Sequence, residues 1–91
     1  MKIEKYTRKK FVVDAVQVTA DNMPHVADWC GGIMKKAADG KEFIQVQVFR
    51  ALNDRQKQAY PGDWVRKAGR GFKVYTDKGF RANFEKEEGV V

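Results

Sequence analysis

The alternation of apolar and polar positions predicts two strands in the first half of the chain. Residues 10–19 are rich in β-branched side chains, and apolar residues occupy both sets of alternate positions. This pattern is typical of a strand that is covered on both faces. Asp14 interrupts the pattern, so we place it at a sheet margin or beside a basic neighbour. Residues 43–49 alternate strictly and predict a half-buried strand.

A short helix is predicted between these two strands. Asp21 or Asn22 can cap its first N–H groups, and Pro24 suits the first turn because it has no N–H donor to lose. The pair Gly31-Gly32 supplies a left-handed stop. Spacing of i, i+3, i+4 and i+7 defines an apolar stripe that packs on the sheet: Met23, Val26, Ala27 and Cys30.

The second half of the chain predicts turns and hairpins. Residues 52–55 resemble a hairpin turn, and Pro61, Gly62 and Asp63 form a tight structural turn in which glycine accepts a positive φ. Residues 64–67 and 72–76 then form a hairpin. Phe80 and Phe84 follow one helical turn apart, which indicates a terminal turn or short helix. For residues 33–40 the pattern is compatible with a turn, a short strand or a ragged extension of the helix.

Together these elements predict an α+β fold: a single antiparallel sheet of about four to five strands, packed against one short helix. Such a sheet can curl into a half-barrel. The 91 residues fit a single domain, 1–91, since domains typically hold roughly 100–150 residues. We expect the basic segment 1–9 and residues 86–91 to be frayed.

Charge is distributed unevenly along the chain. The net charge is +6, from 18 basic and 12 acidic residues. Residues 1–10 carry five basic side chains against one acid, and residues 64–81 carry six against Asp77 alone. This asymmetry favours an anionic partner, although the same side chains would equally solvate the outer faces of strands.

The composition offers no recognisable catalytic or metal-binding constellation. The chain has one cysteine, Cys30, so an intramolecular disulfide and a cysteine-based zinc site are excluded. Its place on the apolar helix face indicates a buried structural thiol rather than a nucleophile. His25 is the sole histidine and serine is absent. We therefore expect no enzymatic activity, no cofactor and no metal.

The candidate binding residues lie in the basic hairpin. A mixture of cations and aromatic residues is typical of nucleic-acid surfaces, where cations bind phosphates and aromatic rings stack on bases. The alternative for Trp64 is structural: it begins a strand and packs inward. A second alternative is a small-ligand pocket between helix and sheet, near Trp29 and Trp64. The candidate binding residues are Trp64, Arg66, Lys67, Arg70, Lys73 and Tyr75.

Several segments share a frame with a known family. They are residues 6–17, Trp29-Cys30-Gly31-Gly32, Pro61-Gly62-Asp63-Trp64-Val65, and Phe80 with Phe84-Glu85. The chain resembles a widespread family of small proteins of tailed bacteriophages and prophages, whose members are mainly uncharacterised. The resemblance implies a setting, the inside of an infected bacterium, and no activity. Residues 66–75 depart from the family pattern, being more basic and without proline.

These observations predict a small phage-encoded, non-enzymatic accessory protein that binds a host or phage protein. We expect it in the host bacterial cytoplasm and not at a membrane, because the first ten residues are charged and no run approaches the ~18–20 apolar residues that span a bilayer. A homodimer would cover exposed strand edges. The alternatives are a nucleic-acid-binding protein that uses the basic hairpin, and a small-ligand binding or sequestering protein.

Overall fold

The structure, a computed structural model, describes residues 3–8, 11–69 and 71–86. It confirms the predicted α+β class. A 3₁₀-helix at Asp54–Lys57 lies between the fourth and fifth strands. The other elements are β1 (Glu4–Arg8), β2 (Phe11–Gln17), α1 (Met23–Cys30), β3 (Ile33–Lys36), β4 (Glu42–Gln45), β5 (Gln58–Ala59), β6 (Trp64–Ala68), β7 (Gly71–Tyr75), α2 (Asp77–Asn83) and β8 (Glu85–Lys86).

The strands form two antiparallel sheets where the sequence predicted one. The larger sheet has the order β7-β6-β2-β1-β8, and the smaller has the order β3-β4-β5. Residues 33–36, which the sequence left open, pair with one edge of β4, and β5 pairs with the other edge. Because both edges of β4 are occupied by strands near it in the chain, β4 does not join the larger sheet.

Two chain segments differ from the predicted boundaries. Part of the N-terminal segment expected to be frayed forms β1, which pairs with β2 over five residues and also with β8. Residue 86 belongs to β8, and residues 87–91 lie outside the described part of the chain. The strand predicted at 43–49 ends at Gln45, although the Val46 amide still donates to the Lys57 carbonyl at 2.8 Å.

Helix α1 confirms the predicted stripe and stop. All four residues of the apolar stripe are buried, and Gly31 adopts φ 66° just after the last helical residue. Its capping differs from the prediction. The Asn22 side chain accepts a hydrogen bond from the Thr19 amide at 2.8 Å and makes no capping bond to the helix. The Asn22 side chain is therefore used in the turn before α1 and does not cap the helix. A helix this short is stabilised by the packing of its apolar stripe.

Strand β2 is covered on both faces, as its pattern predicted. One face carries Val16 and joins an aliphatic core shared by α1, the smaller sheet and β6. The other face carries Val13 and Ala15 and joins an aromatic core under α2. Asp14 forms an ion pair with Lys5 at 2.7 Å, which confirms a basic neighbour.

The turn at 61–63 confirms its structural role. Gly62 has φ 99°, and the buried Asp63 carboxylate accepts hydrogen bonds from the Tyr60 amide at 2.9 Å and the Arg55 guanidinium at 2.8 Å. The Gly62 amide donates to the Val18 carbonyl at 2.7 Å. The turn therefore connects the end of β2 to the start of β6.

Candidate interaction surface

The predicted hairpin forms, but its first aromatic residue is not a surface anchor. Strands β6 and β7 pair from Trp64↔Tyr75 to Ala68↔Gly71. The Trp64 ring is only 5% exposed and stacks on Phe80 with centroids 4.1 Å apart. Its indole N–H donates to the Asp77 carboxylate at 2.8 Å. Trp64 therefore packs inward.

The other candidate binding residues are divided between the two faces of the hairpin. Arg66 donates to the Tyr75 hydroxyl at 2.8 Å, and its guanidinium lies 5.6 Å from the Phe84 ring centroid. Lys73 is exposed opposite Arg66 on the same face, whereas Lys67 is exposed on the opposite face. Arg70 lies outside the described residues. The hairpin thus does not present these side chains as one continuous surface.

The pocket expected near the two tryptophans is not formed by them. Trp29 packs against the aliphatic core and meets the Phe72 ring edge-on at a centroid distance of 5.0 Å. Trp64 belongs to the aromatic core on the other face of the larger sheet. Because the sheet itself separates these two side chains, they cannot line one cavity.

The two most exposed large apolar side chains among the described residues lie in a loop before the 3₁₀-helix, outside the predicted binding residues. Phe49 is 86% exposed and Leu52 is 87% exposed. Both line a groove of about 630 Å³ between the loop and β7, which we call the loop groove. Its lining residues are Val48, Phe49, Arg50, Leu52, Gln56, Lys73, Val74 and Tyr75.

The loop is built by polar contacts that leave its apolar side chains outward. The Leu52 amide donates to the Gln56 side chain at 2.8 Å, and the Asn53 side chain accepts from the Gln56 amide at 3.2 Å, capping the 3₁₀-helix. Arg50 adopts φ 62°, the one positive φ outside glycine in the described residues. Such backbone is costly for a side-chain-bearing residue, and it clusters at functional sites.

The loop groove combines apolar walls with positive charge. Arg50 and Lys73 are its charged lining residues among those described, and both are cations. Another cavity, of about 680 Å³, has Asp39, Lys41 and Glu42 in its lining and so carries both signs. The described charged residues that line the loop groove are therefore all cations, unlike those of this second cavity.

Two of the predictions from the sequence concern a metal site and the burial of Cys30. Within residues 3–8, 11–69 and 71–86, no three His, Cys, Asp or Glu side chains are placed to hold a metal ion. Burial raises the pKa of the Cys30 thiol, which donates to the Ala27 carbonyl at 3.7 Å. It is therefore a protonated, packed thiol near neutral pH. No helix in this part of the chain is long and apolar enough to cross a bilayer.

Comparison of the chain with models of protein families, with curated proteins and with solved structures gave no match. The resemblance to small proteins of tailed bacteriophages therefore stays a prediction.

The sequence did contain one signal for the loop groove. Phe49 is the last residue of the alternating segment 43–49 and shares the outward face of Gln45 and Gln47, and Leu52 lies beyond the end of that segment. The alternating pattern therefore assigns neither side chain to the core.

Proposed function

We propose that the chain is a non-enzymatic binding protein whose loop groove contacts a protein partner. The observation that carries this proposal is the exposure of Phe49 and Leu52, above 85% for each, on the walls of one groove. Single exposed apolar residues are ordinary on protein surfaces. Two large ones beside a concave surface, in a loop with strained backbone at Arg50, are typical of a contact site.

The mixture of side chains in the loop groove favours protein over nucleic acid. Three of the lining residues are aliphatic: Val48, Leu52 and Val74. Aliphatic side chains pack against the apolar side chains of a protein partner. Surfaces that bind single-stranded nucleic acid instead use aromatic rings and a row of cations. Nucleic acid is the second candidate, because Arg50 and Lys73 lie beside Phe49.

The proposed setting follows from the resemblance. In an infected bacterium the partner would be a host protein or another phage protein, and the chain would act in the host cytoplasm. A standard interface covers about 800 Å² per partner. The chain has 6491 Å² of accessible surface, so such an interface would use a sizeable part of it.

The test is an affinity capture from bacterial lysate with the tagged chain and the F49S/L52S double variant. We expect a protein that is retained after nuclease treatment and whose recovery falls at least about tenfold with the variant, since central apolar contacts each contribute around 2 kcal/mol. Ile3→Ser is the matched control, because it removes an apolar side chain that is 40% exposed before β1. Thermal unfolding should be unchanged in both variants.

Two results would overturn the proposal. Equal recovery with F49S/L52S and with the unaltered chain would remove the loop groove from the contact. Loss of all captured material on nuclease treatment would identify nucleic acid, and not protein, as the partner. Binding to the chain should then weaken steeply as the salt concentration rises.

A further inference from the structure

Strand β3 leaves one edge open. In the described residues β3 pairs with β4 alone, on one side. The outer edge of β7 is approached by the 3₁₀-helix and by the Gln47 carbonyl, which lies 3.9 Å from where a side chain on Gly71 would begin. All four residues of β3 are exposed. An open edge presents unpaired N–H and C=O groups, a ready template for another strand.

A groove runs beside this edge. It has a volume of about 420 Å³ and lies between α1 and β3, with Pro24, Ala27 and Met34 in its lining. Met34 is 36% exposed and stands opposite Ile44, which faces the aliphatic core. Met34 therefore extends that core face to the surface, where an apolar side chain from another molecule can pack against it.

We propose that the edge of β3 binds an extended, acidic segment of another protein by strand addition. Backbone hydrogen bonds to β3 would supply the pairing. Alternate side chains of the added strand would enter the groove beside Met34. The remaining ones would lie on the other face of β3, beside Ile33 and Lys35, which are both exposed.

Charge selects an acidic segment over a second copy of the chain. If two β3 strands paired antiparallel, Lys35 and Lys36 of both copies would lie within one short stretch, between two molecules of net charge +6. Lysines on edge strands discourage that kind of pairing. Glu42 stands directly opposite Lys36, and Asp28 lies in the lining of the groove. Lys35 stands opposite Phe43, so the positive charge at the open edge rests on Lys35.

This site is separate from the loop groove and does not rest on the proposed function. Its test uses the full chain, ¹⁵N-labelled, and three synthetic seven-residue peptides. One alternates glutamate with valine or leucine, the second replaces each glutamate with lysine, and the third is the acidic peptide with alternate backbone nitrogens methylated. Binding is followed through the amide resonances of residues 33–36.

We expect the acidic peptide to shift those resonances and to bind at least about tenfold more tightly than the basic and methylated peptides. The K35E/K36E variant should invert the preference between acidic and basic peptides. F49S/L52S should bind the acidic peptide unchanged.

The proposal is overturned if neither charged peptide shifts residues 33–36, if the methylated peptide binds as well as its parent, or if the preference survives in K35E/K36E. Shifts of the same amides with chain concentration alone would identify a second copy as the occupant instead. None of these results alters the capture experiment on the loop groove.

Discussion

The two faces of the larger sheet are packed by different chemistry. On the α1 face, the buried residues are aliphatic and small, with Val26, Ile44 and Val65 at 0% exposure, and they come from both sheets and the helix. On the α2 face, the core is mainly aromatic, and its rings come from β1, β6, β7 and the region of α2. The aliphatic core is stabilised by many small side-chain contacts. The aromatic core is stabilised mainly by contacts between a few large rings.

Phe80 is the centre of the aromatic core. Its ring stacks on Trp64 at 4.1 Å and on Phe84 at 4.7 Å, and it meets Tyr6 edge-on at 5.0 Å. A polar anchor supports this arrangement. The Asp77 carboxylate accepts from the Trp64 indole at 2.8 Å and from the Arg81 guanidinium at 2.8 Å. The aromatic core is therefore centred on the Phe80 ring, and the Asp77 carboxylate binds the indole N–H at its margin.

The largest effect should come from removing the central ring. We expect Phe80→Ala to lower the free energy of unfolding by about 3–5 kcal/mol, because its ring is 1% exposed and truncation opens a cavity. Ile44→Ala is the matched change in the aliphatic core. Urea denaturation gives both values, and near-ultraviolet circular dichroism reports the Trp64 environment. Loss of that signal in Ile44→Ala as well would show that the two cores are not separate.

The glycine pair after α1 tests how tightly the aliphatic core is closed. A side chain on Gly32 would begin 2.7 Å from the Ile44 Cγ2 atom and 2.8 Å from the Gln45 carbonyl oxygen. We expect Gly32→Ala to cost about 1–3 kcal/mol through this overlap.

Gly31 is the matched control, since a side chain there meets nothing within 4 Å and its constraint is the φ of 66°. Gly31→Ala should cost about 1 kcal/mol from the left-handed backbone alone. Denaturant midpoints measure both variants. Equal costs would mean that β4 can move away from the helix end.

The smallest effect concerns the response of the aromatic core to acid. Hydrogen bonds from Trp64 and Arg81 lower the pKa of Asp77 below its ordinary value. A carboxyl group whose pKa is lower in the folded state stabilises the fold at pH values above its unfolded-state pKa of about 4. This stabilisation is lost as the pH falls through the folded-state pKa. Asp77→Asn should therefore flatten the dependence of the melting temperature on pH below about 4.

The size of this acid effect should be small, because the Asp77 side chain is 46% exposed and solvent screens its partners. Asp14→Asn is the control, as its ion pair with Lys5 is also at the surface. An unchanged acid slope in Asp77→Asn would remove the carboxylate as a support of the aromatic core.

Local patterns were sufficient for several elements. The stripe and glycine stop of α1, the hairpin of β6 and β7, and the turn at Asp63 are each specified within about ten residues of chain. The double-sided pattern of β2 also predicted that both faces would be covered. In each case the local structure follows from the period of the apolar residues or from the backbone angles that glycine and proline can adopt. Both properties can be read from the sequence alone.

The division into two sheets, the position of Trp64 and the loop groove were decided by tertiary structure. A pattern of alternating residues shows that a strand has two faces, but it does not say which strand pairs with it or which face meets which helix. Trp29 and Trp64 lie on opposite sides of the larger sheet for that reason. The strand predicted at 43–49 ends at Gln45, where its pairing with β3 and β5 also ends, and Phe49 lies beyond it at the surface. These outcomes depend on contacts between residues distant in the chain, which no local period records.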